Sequence, residues 1–199
     1  MEERRECETN AAIDREFRRS GLPRDYVTGE RNSGDTPPEF TEIGRMLREI
    51  GTREFPGVFL FGPSKSFKTT IAAAFLAAQI RAEKSGRFVD VTDLMTDIQR
   101  SYHDDDFESR GEIVDHYAMT PLLVLDDLGQ EKASHHAGEV LRQILDRRRR
   151  NWSLGRWLIV TSNFTPEELR DRFEERQTGN AILHRIAQLT ISVPMERGR

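Results

Sequence analysis

The chain has 199 residues with a formal net charge of −4, and its charged residues, 32% of the total, carry both signs along the whole length. This length fits one domain with a core that folds without disulfides or metals, and the single cysteine, Cys7, excludes a disulfide framework and a multi-cysteine zinc site. Since no apolar run approaches the roughly 20 residues that span a bilayer and the charged N-terminus is unlike a signal peptide, we expect a cytoplasmic protein without membrane contact.

The first 40 residues are predicted to form a short charged extension. Ile13 and Phe17 lie four positions apart and form one weak helical stripe. The stretch 32–40 combines glycine, proline and polar residues, which is typical of a loop. Apolar residues recur at helical spacing over 41–50, which indicates a short helix leading into the core. We therefore place the core domain at 41–199.

From residue 57 onward, short apolar runs alternate with helical patterns. Continuous apolar runs are typical of strands covered on both faces. Five runs are predicted to be strands: 58–61, 87–91, 122–125, 157–162 and 190–195. Helices are predicted between them: 69–85, closed by Gly86, then 92–102, 111–118, 135–150, a helix starting with the capping box of Thr165, Pro166 and Glu168, and 181–189. This alternation predicts an α/β fold with a parallel sheet and helices on both faces.

The segment FGPSKSFKTT has the pattern of a phosphate-binding loop with one departure. Gly62, Lys68 and Thr69 fit G-x-x-x-x-G-K-[ST], whereas Phe67 occupies the position of the second glycine. The segment follows a predicted strand and opens a predicted helix, where free N–H groups and the helix dipole attract an anion. The alternative is an ordinary strand–turn–helix junction. We predict that ATP binds to the whole loop: Gly62, Pro63, Ser64, Lys65, Ser66, Phe67, Lys68, Thr69 and Thr70.

Within this loop each side chain has an expected role. Lys68 would reach the outer phosphates, and the Thr69 hydroxyl would ligate Mg²⁺. Glycine is used where a backbone approaches phosphate closely or adopts a positive φ. Phe67 is therefore expected to be strained, because bulky residues rarely adopt a positive φ.

Polar residues follow two further predicted strands. Asp126 and Asp127 come at the end of LLVL, and Asn163 follows WLIVTS. Asp126 is expected to hold Mg²⁺, Asp127 to orient or activate the attacking water, and Asn163 to position that water beside the γ-phosphate. Taken singly, each fits a capping or turn residue. Their order after the phosphate loop favours ATP hydrolysis.

Together GPSKSFKTT, LLVLDDLG, IVTSN and NAILHRIAQL resemble an AAA+ ATPase of the DnaC-type helicase-loader group, which also includes helper ATPases of insertion-sequence transposons. The resemblance covers about residues 20–195, including SGLPRDYV (20–27), which in this group lies near the adenine. It implies a P-loop NTPase core of the AAA+ type, with a five-stranded parallel sheet, helices on both faces and little or no lid subdomain.

The resemblance also implies roles for individual residues. Asp126 and Asp127 fall in the Walker B motif, with Asp127 where many wider relatives have glutamate. Asn163 falls at sensor 1. Arg185 matches the arginine finger that reaches the nucleotide of a neighbouring subunit, so the ATP site would be completed between copies in a homo-oligomer.

Two features depart from the pattern of the group. Its loop usually reads G-x-x-G-x-G-K-[ST], so Lys65 and Phe67 both replace glycines. Lys68 and Thr69 remain, so nucleotide binding is expected and the rate of hydrolysis is open. Helicase loaders carry a partner-binding domain ahead of the ATPase, whereas about 40 residues precede the core here. The identity of the partner is therefore open.

Basic and aromatic residues raise the question of DNA binding. The run Arg147–Arg150 ends a predicted helix, where cations suit the helix dipole; the alternative is contact with DNA phosphates. Trp152 and Trp157 could stack on bases, although Trp157, within a strand, fits the core better. Arg197 and Arg199 lie near the place of a sensor 2 arginine in relatives, but the local pattern assigns that role to neither.

Three functions follow from these observations. The first is an ATP-dependent assembly switch that oligomerises on DNA and loads a replicative helicase or, as a transposition helper, regulates a transposase. The second is a non-hydrolysing nucleotide-binding adaptor whose loop is detuned by Phe67. A small-molecule kinase is third, because no arginine-rich lid or acceptor pocket is visible in the sequence. The expected cofactors are ATP and Mg²⁺.

Overall fold

The computed structural model describes residues 2–27, 57–101, 110–130, 134–151 and 155–197. Within these ranges the helices are α1 (Glu2–Arg19), α2 (Arg24–Val27), α3 (Lys68–Arg81), α4 (Val91–Arg100), α5 (Arg110–Met119), α6 (His135–Arg150), α7 (Pro166–Arg170) and α8 (Arg176–Leu189). The strands are β1 (Gly57–Phe61), β2 (Gly86–Asp90), β3 (Leu122–Asp126), β4 (Trp157–Ser162) and β5 (Ile191–Pro194). The predicted loop over 32–40 and helix over 41–50 lie outside the described residues, as do Trp152 and Arg199. None of the described helices is long and apolar enough to cross a membrane.

The five strands form one sheet in the order β2-β3-β4-β1-β5, and all four neighbouring pairs are parallel. The predicted five-stranded parallel sheet is thereby confirmed. In a parallel sheet all strands end at the same edge. The segments that follow β1, β3 and β4 therefore lie side by side, and these are the segments that carry the predicted phosphate loop and the polar residues after it.

Helices cover both faces of the sheet. Successive residues of a strand point to opposite sides, so apolar residues of each central strand are buried on both faces. Leu123 and Leu125 of β3 pack with apolar residues of α4, α5, α6 and α8. Leu122 and Val124 pack on the other face with α1 and α3. The uninterrupted apolar runs that predicted strands are thus explained by burial on both sides.

The first long helix after the phosphate loop ends earlier than predicted. The expected helix over 69–85, closed by Gly86, ends at Arg81, and Glu83 takes the left-handed backbone conformation with φ 60. Gly86 instead begins β2, where a Cβ would overlap with the Leu76 side chain and come within 2.9 Å of the carbonyl oxygen of Leu122. Close packing, and not a helix cap, accounts for this glycine.

The predicted capping box at the start of α7 is confirmed. The Thr165 hydroxyl accepts a hydrogen bond from the Glu168 N–H at 3.3 Å, and the Glu168 carboxylate accepts one from the Thr165 N–H at 2.9 Å. Pro166 occupies the first helical position. The cap residue Thr165 lies three residues after the end of β4 and fixes the chain direction just beyond Asn163.

The N-terminal segment contributes to the core. Phe17 of α1 and the following Leu22 are buried against α3. The carbonyl oxygen of Ser20 accepts a hydrogen bond of 2.6 Å from the N–H of Phe88, so the turn after α1 covers the edge strand β2. The division into a segment 1–40 and a core 41–199 remains a prediction.

Arg148, in the basic run that ends α6, is fully buried, with 0% of its surface exposed. Its guanidinium donates hydrogen bonds to the carbonyl oxygens of Tyr117 at 2.8 Å and Thr120 at 2.7 Å, and to that of Trp157. Burial lowers the pKa of Arg148 to about 9. This side chain therefore joins the end of α6 to the segment before β3 and to the start of β4, and it serves neither as a solvated helix-end cation nor as a DNA contact.

We expect Arg148→Met to lower the free energy of unfolding by about 2–4 kcal/mol, because several buried carbonyl oxygens lose their donor. Urea unfolding measures the change. Arg149→Met is the matched control, since Arg149 is the next residue of the same helix and is exposed; it should change the free energy by less than about 0.5 kcal/mol. Equal effects of the two substitutions would contradict the role given to Arg148.

Candidate nucleotide-binding site

The predicted phosphate loop lies between β1 and α3. Gly62 begins it with φ 146, and a Cβ there would overlap with the carbonyl oxygen of Met195, so only glycine fits. Lys68 begins α3, so the partial positive charge of a helix N-terminus lies at the end of the loop, where it favours an anion. A cavity of about 340 Å³ over the loop is lined by residues 64–70 together with Asp127 and Asn163. The structure thus brings the predicted phosphate loop and two of the predicted catalytic residues together.

The two residues that replace glycines, Lys65 and Phe67, both have left-handed backbone conformations, with φ 67 and φ 62. The loop therefore keeps the backbone shape for which glycine is normally needed. This conformation costs roughly 1–2 kcal/mol for a residue with a Cβ, which confirms the strain expected at Phe67. The Phe67 side chain is 43% exposed beside the cavity.

We expect Phe67→Gly to raise ATP turnover several-fold, because the strain stored at this position, of order 1–2 kcal/mol, then no longer opposes small movements of the loop toward phosphate. Steady-state phosphate release measures the rate. Phe67→Ala is the control: it removes the ring but keeps a Cβ at positive φ, so it should give little of the gain. If both variants gain equally, the bulk of the ring and not the backbone conformation limits the reaction.

The phosphate lysine is held inside the site. Lys68 is 4% exposed. Its ammonium donates hydrogen bonds to four oxygen atoms: the carbonyls of Gly62 and Pro63 at 2.9 Å each, the Ser66 hydroxyl at 3.1 Å and the Asn163 side chain at 2.9 Å. An ammonium has three donors, so these acceptors share them. The ammonium is therefore held beside Asn163 within the cavity over the loop.

Asp126 is a buried carboxyl at the end of β3. It accepts a hydrogen bond of 2.6 Å from the Thr161 hydroxyl and another from the Thr69 side chain. Burial, together with the neighbouring Asp127, raises the pKa of Asp126 to about 6 against the lowering effect of the hydrogen bond from Thr161. Ionising this carboxyl is costly unless a cation lies beside it. The oxygen atoms of Thr69 and Asp126 therefore fit a Mg²⁺ ion.

Asp127 lies beside the phosphate loop with a left-handed backbone, φ 55. Burial raises the pKa of the Asp127 carboxyl, the nearby Asp90 raises it further, and Lys68 lowers it. The amide of Asn163 donates to the Asp127 carboxylate at 3.4 Å while its oxygen accepts from Lys68. A carboxylate, an amide and an ammonium thus line one cavity.

Thr161 is a site residue that the sequence did not single out. Its hydroxyl donates to the Asp126 carboxylate and accepts from the N–H of Asp127 at 2.9 Å, so it positions both acidic residues. Leu125 pairs with Val160 in the sheet, which places Thr161 opposite Asp126. Recognising Thr161 as a site residue requires this strand register, which the sequence alone does not define.

Arg185 lies away from this cavity. Its guanidinium pairs with the Asp146 carboxylate of α6 and donates to the Gln188 side chain at 3.2 Å. It is absent from the residues that line the cavity over the phosphate loop. The role of Arg185 as an arginine finger toward a neighbouring subunit remains a prediction. Arg197 lies exposed beyond β5.

Comparison with known proteins gives the family. Residues 48–197 match the family described as IstB-like ATP binding protein. The chain belongs to the IstB-like ATP-binding family. This confirms the predicted resemblance, since the matched segment contains all four motifs on which it was based.

Relatives of this IstB-like chain come from both branches of the predicted group. It is 31% identical over 150 residues to the replicative helicase loader DnaI of Bacillus subtilis, covering 75% of this chain and 46% of that protein. It is 29% identical over 129 residues to an ATP-binding protein of insertion sequence IS232 from Bacillus thuringiensis subsp. berliner, covering 65% of this chain and 48% of that protein. The chain thus spans about half the length of these curated relatives.

The fold is also shared with a solved structure. The crystal structure of DnaI matches with a TM-score of 0.70 at 23% identity, covering 89% of this chain and 96% of that one. The predicted fold, a five-stranded parallel sheet with helices on both faces, is thereby confirmed for the IstB-like chain.

Proposed function

We propose that this IstB-like chain is an ATPase that acts as an assembly switch of the helicase-loader type. ATP binding would assemble copies of the chain on DNA, and hydrolysis would release them. The observation that supports this most directly is the meeting of Lys68, Asp127 and Asn163 in one cavity over the phosphate loop, with Asn163 hydrogen-bonded to both other side chains. Nucleotide binding alone would need only Lys68 and the loop. The Asp127 carboxylate and the Asn163 amide beside them suit attack by water.

Each group has one task in this proposal. The loop N–H groups and the Lys68 ammonium bind the phosphates. Thr69 and Asp126 would hold Mg²⁺, which neutralises charge on the outer phosphates when bound. Asp127 accepts the proton of the attacking water, and Asn163 orients that water. The raised pKa of the Asp127 carboxyl makes it a better proton acceptor than an exposed aspartate.

The partners are proposed from the relatives. DnaI is a replicative helicase loader, so a replicative helicase and DNA are the first candidates. The IS232 relative and the family description support the alternative of a transposition helper that acts on a transposase. Binding assays against a replicative helicase and a transposase, each with ATP and DNA present, distinguish the two. Selective binding to the transposase would contradict the loader proposal.

A non-hydrolysing adaptor is the second candidate function, favoured by the strained backbone of Phe67. ATP turnover and fluorescent-nucleotide binding, with and without DNA, separate it from the ATPase. We expect turnover in the wild type and a loss of nucleotide affinity of at least about tenfold in Lys68→Ala, because charge-assisted hydrogen bonds are removed. Lys84→Ala, beyond the other end of α3, is the control and should leave both ATP turnover and nucleotide affinity unchanged. A wild type that binds ATP without turnover would contradict the ATPase proposal and support the adaptor.

A further inference from the structure

Arg172, in the connection between α7 and α8, holds the turn that follows β3. Its Nε donates to the carbonyl oxygen of Gly129 at 2.7 Å, and its Nη2 donates to that of Gln130 at 2.8 Å. The same turn is closed by a hydrogen bond of 3.1 Å from the N–H of Gln130 to the carbonyl oxygen of Asp127. The guanidinium fork therefore binds the backbone two and three residues after the proposed proton acceptor.

This turn needs an external support. Asp127 and Gly129 both have positive φ, 55 and 87. A Cβ on Gly129 would overlap with the Leu169 side chain of α7 and lie 3.5 Å from Cγ of Arg172, so the turn is packed tightly against this connection. This backbone conformation is less favourable for a residue with a Cβ, such as Asp127, than for glycine, so contacts from its surroundings help to hold it.

The same guanidinium reaches the segment after β4. It lies over the ring of Phe164 at 4.9 Å from the ring centre, and Phe164 directly follows Asn163. The N–H of Phe164 donates to the Ser162 hydroxyl at 3.1 Å, and that hydroxyl donates to the carbonyl oxygen of Leu128 at 2.7 Å. One side chain thus contacts the residues beyond Asp127 and the residue beyond Asn163.

We infer that Arg172 is a positioning residue for hydrolysis: by binding both turns it fixes the separation of Asp127 and Asn163. The inference rests on the proposed ATPase function. Arg172 is absent from the residues lining the phosphate cavity and instead lines a separate cavity of about 70 Å³ on the far side of Asp127. It therefore acts on the water-activating groups and leaves the nucleotide-binding groups untouched.

The test compares kcat, KM for ATP and nucleotide affinity in three variants. Arg172→Ala should lower kcat about tenfold or more, since small displacements of catalytic groups are costly, while KM and affinity stay within about twofold. Arg172→Lys should recover part of kcat, because one ammonium reaches one carbonyl but lacks the fork. Arg170→Ala is the matched control: Arg170 lies two residues earlier and pairs with the adjacent Asp171 at 3.0 Å, so its loss should change nothing.

Four outcomes would overturn the inference. If the wild type is active and kcat is unchanged in Arg172→Ala, the inference is contradicted while the proposed ATPase function stands. If Arg172→Ala loses nucleotide affinity as much as it loses kcat, Arg172 has a general structural role instead. Absence of turnover in the wild type contradicts the proposed ATPase and this inference together. If Arg172→Ala fails to fold, Phe164→Leu keeps the apolar volume and removes the ring; it should lower kcat several-fold at unchanged affinity, and an unchanged kcat contradicts the inference.

Discussion

Asp127→Asn is expected to lower kcat for ATP hydrolysis about 100-fold or more, because an amide cannot accept the proton of the attacking water. Affinity for ATP should change less than about threefold, since removing one carboxylate beside the phosphates does not weaken the Lys68 contacts. Asparagine also tolerates the left-handed backbone found at this position, φ 55. The N–H that donates to Thr161 is kept as well. The substitution therefore alters the proton acceptor without altering the turn.

The matched control is Asp90→Asn at the end of the neighbouring strand β2. Asp90 caps α4 by accepting from the N–H of Thr92 at 2.7 Å, a bond that asparagine can also make. Its carboxylate raises the pKa of the Asp127 carboxyl without lining the phosphate cavity. Turnover should stay within about threefold of the wild type. Equal losses in the two variants would show that local negative charge, and not a specific acceptor, controls the rate.

The arrangement of the site could be predicted from the sequence because it depends on strand ends. Parallel strands terminate at one edge, so a loop after β1 and polar residues after β3 and β4 had to meet. The positive φ at Lys65 and Phe67 follows in the same way, since a phosphate loop demands one backbone shape whatever its side chains. Lys68 and Asn163 therefore meet in one cavity, and their roles toward nucleotide remain predictions.

Other features depend on information that the sequence does not display. The composition of the basic run that ends α6 does not indicate which arginine is buried, although Arg148 continues the helical spacing of the buried Leu141 and Ile144. Arg172 lies in a connection without periodicity, and its acceptors are backbone carbonyls of a distant turn. Contacts of this kind are defined by tertiary packing, so only the structure reveals them.

Arg185→Ala is expected to lower ATP turnover about 1000-fold while leaving ATP affinity in the isolated chain unchanged, the magnitude typical of an arginine that stabilises the transferred phosphate from a neighbour. Within its own chain Arg185 pairs with Asp146 and is absent from the residues lining the phosphate cavity. Its action on nucleotide would therefore have to be directed to a second copy. Wild-type turnover per chain should accordingly rise with protein concentration.

Mixing two inactive variants tests whether the site is shared. Arg185→Ala keeps Asp127, and Asp127→Asn keeps Arg185, so about a quarter of the head-to-tail contacts in an equal mixture unite both intact groups. Turnover should return in the mixture while each variant alone stays inactive. Asp146→Asn is the control: it removes the resting partner of Arg185 and should leave turnover intact or raised. A mixture without activity, or a wild-type rate per chain independent of concentration, would show that Arg185 does not act between copies, and hydrolysis would then depend on groups within one chain.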